Sequence, residues 1–149
     1  DNLIVIDAAL SRRMGIPVNQ AAYYFQVSRI VERIADHATR VAHNATALSD
    51  REAGAAMLDV MDEASALALE IFSESMEAFH AGDIKKANAT LQKVRDLEEK
   101  TRDIDTRALD LEAVAAIPMG QISDSIRRIG EYSGDICECV INYIVGQET

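Results

Sequence analysis

The sequence predicts an all-α fold, an antiparallel helical bundle of about five helices. Apolar residues recur at steps of three and four along most of the chain, and no comparable stretch alternates with the period of two that is typical of a strand. Hydrophobic residues make up 48% of the 149 residues, many of them alanine, and tryptophan is absent. Because there are only two prolines and seven glycines, the composition favours long helices packed closely over small side chains.

The first two predicted helices are separated by Gly15-Ile16-Pro17, because glycine is typical of a helix end and proline of a helix start. Residues 1–14 form the last part of the first helix, and the second helix spans about 18–48. Apolar residues of the first helix are Leu3, Ile6, Leu10 and Met14. The predicted core-facing side of the second helix consists of Val27, Ile30, Ile34, His37, Val41 and Leu48.

The third and fourth predicted helices meet at Ala81-Gly82-Asp83, where glycine closes one helix and aspartate caps the next. Ser49-Asp50 offers an N-cap to the third helix, which spans about 51–80. The fourth helix spans about 84–113 and has the most regular apolar pattern. The predicted buried side of the third helix consists of Met57, Met61, Ala64, Leu67, Ile71 and Phe79.

The fifth predicted helix spans about 118–146 and starts at Ile117-Pro118, which repeats the Ile16-Pro17 pair. This helix also contains a second copy of an earlier segment, since Val31–Ala42 recurs as Ile126–Cys137. The alignment of the two copies places Arg33 on Arg128, Ile34 on Ile129, Ala35 on Gly130, Asp36 on Glu131 and Val41 on Ile136.

The repeated segment divides the chain into two units. We predict an incomplete first three-helix repeat at residues 1–48 and a complete second three-helix repeat at residues 49–149, packed as one globular unit. In both copies the aligned isoleucine and valine residues face the core. Small residues lie to one flank, where they allow another helix to approach closely; they are Ala35, Ala38, Ala42, Gly130 and Gly134.

Pairs of acidic residues four positions apart lie on the outward side of the repeated helices. The pairs are Glu32 with Asp36 and Glu131 with Asp135, and the preceding helix adds Glu99 with Asp103. Neighbouring carboxylates repel each other, and a bound cation relieves that repulsion; oxygen ligands suit iron, manganese, magnesium or calcium. The alternative interpretation is a solvated acidic helix surface. Arg33, Arg127 and Arg128 are expected to pair with acids on neighbouring helices.

Charge and composition exclude several functional classes. The formal net charge of −10 argues against binding to nucleic acid and suits cations or basic surfaces of partner proteins. No apolar run approaches the roughly 18 residues of a membrane span. Cys137 and Cys139 point about 200° apart on a helix and cannot bind one ion together. Two cysteines that remain reduced thiols indicate a cytoplasmic protein. No nucleophile–base pair or phosphate-binding loop is present, and we predict no enzymatic activity.

The segment Glu32-Arg33-Ile34-Ala35-Asp36-His37-Ala38 resembles the signature helix of the PhoU family of phosphate-uptake regulators. The family pattern is close to Leu-Glu-Arg-Ile-Gly-Asp-His-Ala-x-Asn-Ile-Ala-Glu. The second copy, Arg128-Ile129-Gly130-Glu131, matches the family pattern less closely than the first copy does. This sequence departs from the pattern at Arg40, His43 and Arg127, where the family has Asn, Glu and Glu.

The resemblance implies a cytoplasmic, non-enzymatic regulator of phosphate uptake and phosphate-starvation signalling. It implies contact with the ATPase of a phosphate transporter and with a sensor kinase. We also expect a homodimer. It also implies metal ions such as Fe, Zn, Mn or Mg at Glu32 and Asp36 and at Glu131 and Asp135. The alternative function is a sensory or dimerisation module of a larger transcriptional or ion-transport regulator, without metal of its own.

Overall fold

The computed structural model describes residues 11–13, 15–48 and 57–147, and its regular structure is entirely helical within them. Four long helices follow one another in these ranges: α1 (Val18–Leu48), α2 (Leu58–Ala81), α3 (Ile84–Ala108) and α4 (Ala113–Val145). They correspond to the second to fifth predicted helices, and the all-α prediction is confirmed. None of the helices described here has the length and apolar character that a membrane span requires.

The boundaries of α1 and the break between α2 and α3 agree with the sequence patterns. Gly82 adopts the left-handed conformation (φ 63°, ψ 34°), and its N–H donates to the carbonyl of Ala78. The Asp83 side chain then accepts a hydrogen bond from the N–H of Lys86 at 3.0 Å and caps α3. Most of the first predicted helix and the Ser49-Asp50 cap fall outside the described residues.

The end of α3 and the start of α4 differ from the predictions. The fourth predicted helix ends at Ala108 rather than near residue 113, and the last helix begins at Ala113 rather than at Pro118. Pro118 therefore lies inside α4, where its missing N–H leaves the carbonyl of Val114 without a helical donor. Val114 lies in the first turn of α4 and is 52% exposed, so this break in the helical hydrogen bonds falls at the surface of the bundle. The two Ile-Pro pairs are thus not equivalent.

Helix α4 lies at the centre of the bundle, because α1, α2 and α3 each pack against it. Its isoleucines Ile122, Ile126 and Ile136 are almost completely buried. Helices α2 and α3 also pack against each other, and a row of ion pairs lies along the outer edge of their contact. Lys86 pairs with Glu77, Lys93 with Glu70 and Glu74, and Lys100 with Glu63.

Small residues set the close approach of α3 to α4, as the sequence predicts for the second copy. A Cβ atom added at Gly130 would clash with Cδ2 of Leu97, and one at Gly134 would lie 3.4 Å from Cδ2 of Leu91. The first copy differs. Ala35, Ala38 and Ala42 are exposed, so the expectation of a close helix contact there is wrong for the described residues.

Replacement of Gly130 by alanine tests this close contact. We expect Gly130→Ala to lower the free energy of unfolding by about 1–3 kcal/mol, because Leu97 is buried and the core must expand around the new methyl group. Gly120→Ala is the matched control, since no atom lies within 4 Å of its Cβ position. It should raise stability by about 0.5–1 kcal/mol through helix propensity. Urea denaturation of both variants measures this; equal stabilities would refute the prediction.

Candidate functional site

The contact between α1 and α4 brings the two copies of the repeated segment together. The ring of His37 lies 5.7 Å from the ring of Tyr132, and the guanidinium of Arg33 lies 5.7 Å from the same ring centre. Because the early part of α1 faces the late part of α4, the helices run antiparallel. The equivalent segments therefore meet near their middles, around His37 and Tyr132.

Two surface grooves follow this antiparallel contact. The first, of about 480 Å³, places Arg29 and Arg33 of α1 opposite Asp135 and Glu138 of α4. The second, of about 510 Å³, places side chains of α1 opposite the first half of α4, and its charged members are Arg40, His43 and Asp124. In both grooves the basic side chains come mainly from α1 and the acidic ones from α4. The α1–α4 contact is thus electrostatically complementary.

The outward side of α4 carries a row of acids at helical spacing, which we call the α4 acidic row: Asp124, Glu131, Asp135 and Glu138. Arginines of the same helix lie within it. Arg127 bonds to both Asp124 and Glu131, and Arg128 donates to Oε2 of Glu131 at 3.0 Å. The prediction that Arg127 and Arg128 pair with neighbouring helices is therefore wrong, because helical spacing already places acids three and four positions away. The role of these arginines as counter-ions is what sequence reasoning missed.

The pKa values of Asp135 and His37 are both shifted at this contact. Desolvation raises the pKa of Asp135, Glu138 and Glu131 raise it further, and Arg33 opposes them. Burial at the α1–α4 contact lowers the pKa of His37, and Arg40 lowers it further. Nδ1 of His37 is buried and has no hydrogen-bond partner among the described residues. His37 thus packs at the interface as predicted, but its ring is not fully hydrogen-bonded.

The acidic pairs predicted as metal ligands lie on three different helices. Glu32 and Asp36 are exposed on α1, where Arg29 bonds to Glu32 at 2.6 Å. Glu99 and Asp103 are exposed on α3, and Arg107 bonds to Asp103 at 2.7 Å. The third pair is Glu131 with Asp135 on α4. The structure does not bring the pairs together.

The donor set also fails a simple test for a metal centre. Within residues 11–13, 15–48 and 57–147, no three His, Cys, Asp or Glu side chains are grouped so that they could hold a metal ion. In this arrangement arginine side chains, rather than an ion, balance the charge of Glu131. The residues as placed do not fit a metal centre, and metal binding stays a prediction.

Both cysteines of α4 are buried free thiols. Burial raises the pKa of Cys137 to about 11, and the nearby carboxylate of Glu74 contributes. Burial likewise raises the pKa of Cys139. Since nucleophilic attack requires the thiolate, these thiols are suited to packing rather than to reaction at neutral pH.

Comparison with known proteins identifies one family. The model of the PhoU domain matches residues 61–140, which is more than half of the chain. The matched range runs from the first turn of α2 to the last part of α4 and includes the second copy of the repeated segment. The first copy, which resembles the family signature more closely, lies outside the matched residues. No curated protein and no solved structure matches the chain.

Removal of the counter-ions tests metal binding at the α4 acidic row. We expect Arg127→Ala/Arg128→Ala to bind Mn²⁺ about tenfold more tightly than the wild type in calorimetric titration, a difference of about 1.4 kcal/mol, because no guanidinium then competes for Glu131. Arg95→Ala removes an exposed arginine of α3 and is the matched control. Further replacement of Glu131 and Asp135 by alanine should abolish binding. If neither the wild type nor the arginine variant binds Mn²⁺ at millimolar concentration, the metal prediction is wrong.

The raised pKa of Asp135 predicts a pH-dependent cost to stability. In the folded protein the pKa of Asp135 lies above its ordinary value of 3.8, so the native state holds the carboxyl proton more tightly than the unfolded chain does. The stability that this bound proton contributes is lost as the pH rises through the folded pKa. Asp135→Asn should therefore stabilise the protein at pH 7 by about 0.2–0.5 kcal/mol, the size of a like-charge pair on a helix. Urea denaturation should show no such gain at a pH below 3.8. A gain of equal size at both pH values would contradict this.

Proposed function

The chain belongs to the PhoU domain family, and on that premise we propose that it is a non-enzymatic regulator of phosphate uptake that acts by protein–protein contact. The family match is the observation that supports the proposal. The matched range includes most of α4, the helix at the centre of the bundle. The proposed partners are the ATPase of a phosphate transporter and a sensor kinase. We place the protein in the cytoplasm, as a homodimer.

The charge distribution supports contact with basic partner surfaces. The chain has a net charge of −10, and exposed acids occur on α1 and α3, at Glu32, Asp36, Glu99 and Asp103. Charges of one sign spread over a surface accelerate association with a partner of opposite sign and make that association sensitive to salt. Arginines bond to acids on each of α1, α3 and α4, so the excess of acids over the whole surface, rather than one helix, provides the attraction.

The alternative function is a sensory or dimerisation module of a larger transcriptional or ion-transport regulator. One observation favours it. The side of α1 that carries Ala35, Ala38 and Ala42 is exposed, and its small residues leave room for another helix to approach closely. In this alternative the acids remain a solvated surface.

A phosphate-response assay separates the two functions. We expect the chain, expressed in a bacterial strain that lacks its own PhoU-family protein, to restore repression of a phosphate-starvation reporter in phosphate-rich medium. The charge-reversal variant Glu99→Lys/Asp103→Lys should restore less, because it weakens the attraction to a basic partner. Lys85→Gln changes an exposed lysine on the same helix and should behave as the wild type.

Affinity capture provides the direct measurement. Immobilised protein should recover the transporter ATPase or the sensor kinase at low salt and lose it at high salt. Failure of repression together with failure to recover either protein would overturn the proposal and favour the alternative module.

A further inference from the structure

The two grooves beside the α1–α4 contact are equivalent positions of the internal repeat. When the alignment of the two copies is extended along both helices, most residues that line the second groove are counterparts of residues that line the first. At 100° per residue, both grooves lie on the side of α1 that faces away from Ala35 and Ala38. Three of the aligned pairs are Phe25 with Gly120, Gln26 with Gln121 and Arg29 with Asp124.

Charge distinguishes the two grooves. Arg40 lies in the second groove where the first has Asp135, and His43 lies where the first has Glu138. In the first groove, Arg33 opposes the charge of Asp135. Among the residues that the structure describes, the guanidinium of Arg40 and the ring of His43 form no ion pair and no hydrogen bond. The second groove therefore presents basic side chains whose donors are free.

The acids near the second groove do not neutralise these side chains. Asp124 lies in the groove, but Arg127 bonds to it and Nε of Arg128 lies 3.9 Å from its Oδ1. Asp36 precedes Arg40 by one helical turn, but it does not line the groove, and the two form no ion pair in the described part of the chain. The second groove is thus a locally basic site on a chain with a net charge of −10.

The second groove is also open at a position where the first holds an aromatic side chain. Phe25 lines the first groove, whereas its counterpart Gly120 has no side chain, and no atom lies within 4 Å of the Cβ position there. Ile117 is 62% exposed and lines the second groove nearby. The volume of about 510 Å³ falls within the range of small-molecule sites. An apolar group of a ligand therefore fits beside Ile117, at the position that a phenylalanine occupies in the first groove.

We propose that the second groove binds a small organic phosphate ester, with its phosphate group against Arg40 and His43 and its apolar part over Gly120, beside Ile117. A guanidinium presents two parallel N–H groups to phosphate oxygens, and the ring of His43 and the amide of Gln121 add further donors. These donors match the three terminal oxygens of a phosphate ester better than the two oxygens of a carboxylate. The inference goes beyond the proposed function, because regulation by protein contact requires no small-molecule site.

A titration followed by NMR tests this site. Phenyl phosphate is the probe, because it joins a phosphate group to an apolar ring. The intact chain should show saturable chemical-shift changes with a Kd of about 1 mM or lower. Arg40→Gln should weaken binding at least about tenfold, because it removes the charged pair of donors. Arg95→Gln removes an exposed arginine of α3 and is the matched control.

A second variant tests the open position. Gly120→Phe places in the second groove the side chain that its counterpart has in the first, and it should also weaken binding at least about tenfold. Since no atom lies within 4 Å of the Cβ position, we expect the fold to persist, and circular dichroism checks this. Inorganic phosphate lacks the ring and benzoate lacks the phosphate group, so each should bind at least about tenfold more weakly than phenyl phosphate.

Three outcomes overturn the proposal. The first is the absence of saturable binding of phenyl phosphate to the wild type. The second is equal binding to the wild type and to a folded Arg40→Gln or Gly120→Phe variant, which would place the probe elsewhere on the surface. The third is binding of inorganic phosphate or benzoate as tight as that of phenyl phosphate, because the groove would then not recognise a phosphate ester. The titration is independent of the phosphate-response assay, so failure of one is distinguishable from failure of the other.

Discussion

The burial of α4 on three sides is the constraint from which the rest of the structure follows. Because α1, α2 and α3 all pack against it, most of its circumference must be apolar, and Ile122, Ile126 and Ile136 fill that role. Where α3 comes closest, even a methyl group is too large, so Gly130 lies there. Only one narrow outward side remains for charged residues. The position of the α4 acidic row is thus a consequence of packing.

The two copies of the repeated segment share a packing side but differ in charge. In their alignment Arg29 corresponds to Asp124, Arg40 to Asp135 and His43 to Glu138. Since the copies meet antiparallel, the basic residues of α1 lie beside the acidic residues of α4. Two equally acidic helices would repel one another at this contact. Basic side chains of the chain itself therefore lie in the region where the family resemblance predicts metal ions. Arg127 and Arg128 add two more, and both pair with Glu131.

Part of the candidate site could be predicted from sequence. Helical spacing correctly indicates that the acids of α1, α3 and α4 point outward, because the direction of a side chain on a helix depends only on its position. Spacing does not determine which acid forms an ion pair with a long arginine side chain. Arg127 pairs with Asp124 and Glu131 of its own helix rather than with acids of neighbouring helices. The separation of the three acidic pairs likewise depends on helix packing, which local patterns do not contain.

The sequence by itself determined the all-α class, the limits of α1, the break at Gly82-Asp83 and the close packing at Gly130. These features depend on residues a few positions apart or on glycine's lack of a side chain. Tertiary structure decided the start of α4 and the exposure of Ala35, Ala38 and Ala42 on α1. Proline's preference for the first helical turn predicts a start at Pro118, but burial of Ala115 and Met119 against other helices stabilises the earlier start at Ala113. The exposure of Ala38 depends on which helices reach α1, and no local pattern specifies that.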